Sequence, residues 1–524
     1  MKRSLFNLNR KVNLYFWISF VFTFVYITKT FPSLSYNAEI WAELATNFYH
    51  NARYSTLYEN IWATDAGYLP WLQRFIAVFV IKVFKMYDYF PYICQFIGIG
   101  FISFFCSFIN LFQFRKLIKM DSLRFFVSLI LGLGIFSTYE DFSFINFSYF
   151  GIFFLVFSFF IEKEKFKPIS FLLFLFFSVL VVNSKAFMIV TAPLFIIFGV
   201  ISFFKKRYKE TLYNLMMILA ILLQITTILE NQKIYKTNST PTNNNIYDFP
   251  ITLVNYFLSS ILRITEISSG NIYVLIIVLV CISLIFFLVL NQKKWNVFKF
   301  IFICSTISLG TLTVNLVSLS SMKWFSSFTL PFIAIHRNVF LSNYLLWLSL
   351  IVLLSSIFLM LKFKYKRVIV FILALIILQY YTKQVKIRNI NFNPNFSYSQ
   401  WKDYKILLKF DDYCLPVNPF PWQYQKDCME ISKEQLENAK IRAIIWEKSF
   451  QEIFSPNQIH SVVAINSNGQ EIGNARLLNT IKDTMFNYYL FEAPLTPVSF
   501  KLLNASNKEI SIENKKIKFY GSLK

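Results

Sequence analysis

At 524 residues, 56% of them hydrophobic and 20% aromatic, with a mean hydropathy of +0.49, the chain carries more apolar surface than a soluble core can bury. Charged residues make up 15%, too few to coat such a chain, so much of it must face lipid. The formal net charge of +24 sits mostly in short basic clusters between apolar runs, which reads as membrane topology and excludes a nucleic-acid partner.

The N-terminus, MKRSLFNLNRKVN followed by LYFWISFVFTFVYI, has the basic and apolar regions of a secretory signal, but TKTFPSLSY supplies no small-x-small cleavage site. It reads as a retained first helix entering from the cytoplasm. Further apolar runs occupy approximately 91–113, 122–137, 147–161, 168–183, 186–204, 211–229, 273–290, 299–318, 341–361 and 368–383. The expectation is an α-helical polytopic membrane protein of about eleven transmembrane helices.

One more run, Leu69 to Val83, decides the topology. If it lies along the outer surface, as its interrupting Arg74 and Lys82 allow, every strong basic cluster falls in the cytoplasm: Arg115-Lys116, Lys163 with Lys165, Lys205-Lys206-Arg207, Lys293-Lys294, and Lys362 through Arg367. The alternative is a twelfth helix with a cytoplasmic tail. On the first reading, residues 1–384 form the transmembrane domain with a long first external segment (32–90). Residues 385–524 then form a soluble extracytoplasmic domain.

That tail shifts abruptly to a polar composition with turn signals at Ser467-Asn468-Gly469 and Asn504 to Asn507. Alternation over Ser461 to Ile465, Tyr488 to Phe491, Val498 to Leu503 and Ile510 to Phe519 predicts short strands, hence a β-rich domain of α/β or β-sandwich-like type. A helical segment is expected near Lys433 to Lys440. Cys94, Cys106, Cys281 and Cys304 fall in apolar helices as small hydrophobes, which leaves Cys414 and Cys428 in the soluble part. Their spacing across a Pro/Trp-rich loop suits a disulfide in an oxidising compartment, or two free thiols.

Polar groups gather at the outer ends of the helices. The first external segment carries Glu39, Glu43, Glu59 and Asp65, and Glu39 and Glu43 would share one face of a helix. A carboxylate beside the bilayer can take a proton from an acceptor hydroxyl. Glu140 and Asp141 stand together at the outer end of a helix pair, where they can support a metal or a cation or be merely solvated. Lys185 lies between two apolar runs, and Lys323 with His336-Arg337-Asn338 in a late loop. Basic groups at that level either clamp a lipid phosphate or snorkel to the interface.

A first helix, a long external loop with early acids, then the approach Asp65-Ala-Gly-Tyr68-Leu-Pro-Trp-Leu-Gln-Arg74 to an amphipathic helix resembles the GT-C glycosyltransferases. The likeness covers the architecture of residues 1–384. It implies an inverting enzyme of bacterial surface-polysaccharide type in the inner (plasma) membrane, moving a sugar from a polyprenyl-phosphate donor to a glycan or lipid acceptor. It further implies Glu39 as catalytic base, with Glu43 and Asp65 as further candidates. Glu140, Asp141, Lys185, His336, Arg337 and Tyr68 would bind substrate, Arg337 at the donor phosphate. Here Asn37 and Ala38 stand where the commoner pattern has an Asp before the acid. No cofactor is required, and a divalent cation is left open. The C-terminal domain would hold the acceptor.

Three other readings compete. A polysaccharide polymerase or O-antigen ligase would use arginines and a histidine in a large late loop, whereas the segment near 319–340 is short with one of each. A flippase for lipid-linked sugars would bury ionisable groups near the midplane, whereas the apolar runs carry neutral Gln95, Gln224, Asn315 and Asn343. A purely structural membrane protein would need no site at all.

Overall fold

The structure, a computed structural model, describes residues 10–36, 43–133, 139–235, 295–319, 340–358, 414–416, 423–425, 429–447, 459–477, 486–504, 506–510 and 516–523, with single positions 38, 368 and 372. The chain divides into two compact units. The first comprises Met1–Phe31, Thr56–Phe79 and Cys94–Pro394, the second Pro32–Ser55, Val80–Ile93 and Asn395–Lys524.

The helices follow the apolar runs: α1 (Arg10–Thr30), α2 (His50–Tyr54), α3 (Leu57–Trp62), α4 (Trp71–Val78), α5 (Phe90–Ser107), α6 (Asp121–Gly132), α7 (Gly151–Ser158), α8 (Pro168–Val182), α9 (Ala192–Phe204), α10 (Tyr208–Tyr235), α11 (Trp295–Leu319) and α12 (Phe340–Phe358). Local chemistry sets their starts. Pro168 opens α8 at a position whose N–H has no helical partner anyway. Thr56 and Glu59 form a reciprocal capping box on α3, which gives Glu59 a structural task. Among the described residues, three helical stretches, Tyr87–Asn110, Ala186–Phe204 and Tyr208–Asn231, are long and apolar enough to cross a membrane. Leu14–Thr30, Phe147–Ser158, Pro168–Val182, Trp295–Thr311 and Leu341–Leu353 are shorter apolar helices.

In the first unit, aromatic rings fill the space between helices. Phe154 meets Phe177 at 5.1 Å, and Phe114 meets Phe157 at 4.7 Å. Gly151 lets α7 approach α8, since a Cβ there would fall 2.7 Å from Val181 Cγ1. Asn110 donates to Ser19 Oγ at 2.9 Å and Ser128 Oγ at 2.8 Å, which ties the turn after α5 to α1 and α6.

The inter-helix turns of this unit alternate between two ends. At one end, Lys116 donates to Phe160 O, Lys209 to Phe166 O and Lys299 to Phe159 O, each at 2.7 Å, so the turns after α5, α7 and α9 meet the start of α11. At the other end, Gln73 donates to Ile145 O at 3.0 Å and Trp71 N–H to Asn183 O at 2.8 Å, joining the start of α4 to the turns after α6 and α8. The basic clusters Arg115-Lys116, Lys163 with Lys165, and Lys205 to Arg207 all belong to the first of these ends. Phe75 meets Phe176 at 6.0 Å, so α4 packs on α8, and Arg74 is fully buried.

The second unit contains the π-helical turn Leu44–Tyr49, α2 and a β region. Strands β1 (Cys414–Pro416) and β2 (Gln423–Gln425) pair antiparallel, and β2 lies against Leu44–Tyr49. The strands β3 (Met429–Ile431), β4 (Ala439–Glu447), β5 (Ser461–Ile465), β6 (Glu471–Leu477), β7 (Phe486–Leu495), β8 (Ser499–Leu503), β9 (Glu509–Ile510) and β10 (Lys516–Leu523) form one antiparallel sheet in the order β3-β10-β4-β7-β6-β5-β8-β9. β6 pairs with β5 through its first residues and with β7 through Arg476 and Leu477. Phe500 of β8 stacks on Phe519 of β10 at 5.0 Å although four strands separate them in the sheet, so the sheet curls over a core of Trp446, Tyr489, Phe491 and their neighbours. The expected strand Ser461 to Ile465 matches β5 residue for residue. The segment from Lys433 is a 3-10 helix that ends at Asn438, and the next residue opens β4.

Candidate functional site

Asp65-Ala66-Gly67-Tyr68 is a tight turn whose ends exchange both backbone hydrogen bonds, Asp65 N to Tyr68 O at 2.8 Å and Tyr68 N to Asp65 O at 3.1 Å. Its central residues have φ of 46° and 78°, the left-handed pair of a type I′ turn, which Gly67 meets without cost. The turn directs both flanking side chains to one place. Tyr68 Oη donates to Asp65 Oδ2 at 3.1 Å and accepts from Lys185 Nζ at 2.8 Å.

Lys185 also donates to Asn146 Oδ1 at 3.1 Å, and its ammonium lies 5.2 Å and 4.9 Å from the ring centroids of Tyr68 and Tyr149. Arg74 donates to Thr64 O at 3.3 Å. Burial pushes its guanidinium down to about 10, while the neighbouring Asp65 carboxylate acts to keep it charged. Asp65, Lys185 and Arg74 are 2%, 5% and 0% exposed, which makes this a desolvated network of charges and not a solvated loop.

Three glutamines satisfy the irregular backbone around this network. Gln224, inside α10, accepts from Leu69 N at 2.9 Å and donates to Leu69 O at 3.2 Å. Gln73 holds Ile145 O and Ser148 Oγ, and Gln95 accepts from Phe144 N at 2.8 Å. Non-helical chain among apolar helices requires such partners. Asn183 is different: fully buried beside the network, its amide oxygen and nitrogen have no partner among the described residues, nor does Trp71 Nε1. Buried polar groups left in this state are where water or a ligand completes the pairing.

Of the sequence-predicted residues, Asp65, Tyr68 and Lys185 meet in this network. Asp141 is buried in the 3-10 turn Tyr139–Phe142, whose Phe142 stacks on Phe31 at 5.0 Å, and Glu140 lies on the same turn. Glu43, half-buried, belongs to the second unit. Glu39, His336, Arg337 and Cys428 lie outside the described residues, and Cys414 opens β1. Among the described residues no three His, Cys, Asp or Glu side chains gather as metal ligands. Sequence reasoning missed Asn146, Gln73 and Asn183 as members of the site and treated Arg74 as a surface residue. The available signal was an arginine inside an apolar run nine residues after an acid. No protein-family model, curated protein or solved structure matches the chain.

Proposed function

We propose that the chain is a polytopic glycosyltransferase of a bacterial inner membrane, with about eleven spans, a cytoplasmic N-terminus and an external C-terminal domain. It transfers a sugar from a polyprenyl-phosphate donor to a cell-surface glycan or lipid acceptor. The observation that supports this reading is the buried Asp65–Tyr68–Lys185 network at the end of the bundle away from the basic turns. Lysine-rich turns face the cytoplasm by the charge rule, so the network falls on the outer side, where lipid-linked donors are consumed.

In this reading Asp65 accepts the proton of the acceptor hydroxyl, the freed oxygen attacks the anomeric carbon, and the bond from that carbon to the phosphate oxygen breaks. The electron pair leaves with the phosphate, whose charge Lys185 and Arg337 balance. Tyr68 links the base to the cation. Glu39 is the second candidate base.

The buried charges of Asp65, Arg74 and Lys185 favour a flippase for lipid-linked sugars as the second reading. A deletion strain complemented with wild type, Asp65→Asn or Glu39→Gln tests both. The transferase reading expects loss of one sugar from the surface glycan profile, a drop of about 10²–10⁴-fold with Asp65→Asn, and donor accumulating on the outer leaflet. Donor accumulating on the inner leaflet would establish the flippase instead.

A further inference from the structure

Among the described residues, Glu210, Glu164, Glu162 and Asp121 are acids at the basic end of the first unit, and each is already engaged. Asp121 pairs with Arg115 and Arg124, Glu162 with Lys165, and Glu210 with Arg207. Glu164 accepts from the Lys209 and Glu210 backbone N–H groups at 2.7 and 3.0 Å, capping the start of α10.

Lys116 and Lys299 have no carboxylate partner among the described residues. They come from the turn after α5 and from α11, yet their ammonium groups flank one ring, 5.9 Å and 5.1 Å from the Phe160 centroid. Each spends a single N–H on a carbonyl of the chain leaving α7, Phe160 O and Phe159 O, which leaves two donors on each nitrogen. Lys163, itself buried, donates to Ser158 O at 2.6 Å in the same stretch of chain. The half-charge of a helix C-terminus cannot neutralise the two ammonium groups of Lys116 and Lys299.

The surroundings are apolar and open. Phe112 and Trp295 stand one turn before Lys116 and Lys299 and are 42% and 62% exposed. Rings that face outward beside unneutralised cations match a lipid with an anionic head, whose acyl chains meet the rings.

We infer that Lys116 and Lys299 form a binding site for the phosphate of an anionic lipid headgroup at the basic end of the helical unit. The site is independent of the transferase reading. One phosphate spans the two ammonium groups over the edge of Phe160, and Lys163 fixes the backbone that holds them in place.

The test uses the full-length protein, purified in detergent and stripped of lipid, then titrated in mixed micelles with phosphatidylglycerol, phosphatidylcholine or inorganic phosphate while thermal unfolding is followed. Phosphatidylglycerol is expected to bind at least tenfold more tightly than phosphatidylcholine. Lys116→Gln should weaken it about fivefold and the Lys116→Gln/Lys299→Gln pair about 25-fold, whereas Lys501→Gln, in the β region, should leave it unchanged. Should the double variant fail to fold, Lys116→Arg/Lys299→Arg keeps the charge and must retain the preference. Equal affinity for the two lipids, or a preference untouched by Lys116→Gln, overturns the inference. Inorganic phosphate that stabilises the protein as well as the lipid does would make this a free-phosphate site and overturn it as well.

Discussion

Gln224 replaces a neighbouring strand. Its amide pairs with both backbone groups of Leu69, holding the chain extended just after the Asp65–Tyr68 turn and so fixing where Tyr68 can point. Replacing it by leucine keeps the volume but leaves a buried N–H and a buried carbonyl unpaired, at about 1–3 kcal/mol each. Gln224→Leu is therefore expected to destabilise the protein by about 2–6 kcal/mol, read as a lowered midpoint of thermal unfolding in detergent. Gln224→Glu, protonated in this buried position, keeps an acceptor and an O–H donor and should fall between the two. A Gln224→Leu protein as stable as wild type would mean that Leu69 finds other partners. At this scale the sequence was only partly legible. Asp65, Tyr68 and Lys185 stood out as polar residues at the ends of apolar runs, but the partners that assemble them, Asn146 and Gln224, lie 39 residues from Lys185 and 155 from Leu69. Pairings across such separations leave no trace in local periodicity.

Among the elements, α7 has eight residues, all of them buried, and the carbonyls at and just after its C-terminus are held by lysines from three different segments. Lys163 is the most enclosed of these: burial pushes its ammonium down to about 7. Between that value and the ordinary lysine value of about 10.4, the unfolded chain carries a proton that the folded chain does not. Stability must therefore rise with pH across this window, by at most about 1.4 kcal/mol per unit, and show no dependence on this group below it. Thermal unfolding between pH 7 and 9 is expected to show that rise in wild type and a flatter profile in Lys163→Met; identical slopes would assign it to other groups. The elements also mark what the sequence could express. β5, enclosed from Val462 to Ile465, was readable to the residue. β4 was missed because the expected helix ran on to Lys440, across the first residues of this strand, although its buried Ile441 to Ile444 resemble the enclosed β5.

For the whole molecule, the decisive property is the sorting of turns to two ends of the helical unit. The contacts of Lys116 with Phe160 and of Lys209 with Phe166 oblige the turns around 115, 163 and 206 to lie on one side, however many spans the chain makes elsewhere. Charge alone argued that this side is cytoplasmic; the packing makes the three turns a single unit that must be placed together. In the second unit, β2 lies against Leu44–Tyr49, so these two segments must be placed together as well. Single cysteines introduced into a chain whose six native cysteines are replaced turn these statements into a labelling experiment. Lys119→Cys and Lys205→Cys are expected to resist an impermeant maleimide in intact spheroplasts and to react after permeabilisation. Tyr58→Cys, at a position 73% exposed, and Asn468→Cys, in the turn between β5 and β6, are expected to react from outside. Reaction of Lys119→Cys and Lys205→Cys from outside would invert the topology, putting the Asp65–Lys185 network in the cytoplasm. Under the proposed transferase reading the donor would then be a nucleotide sugar, because that reading has lipid-linked sugars consumed on the other face.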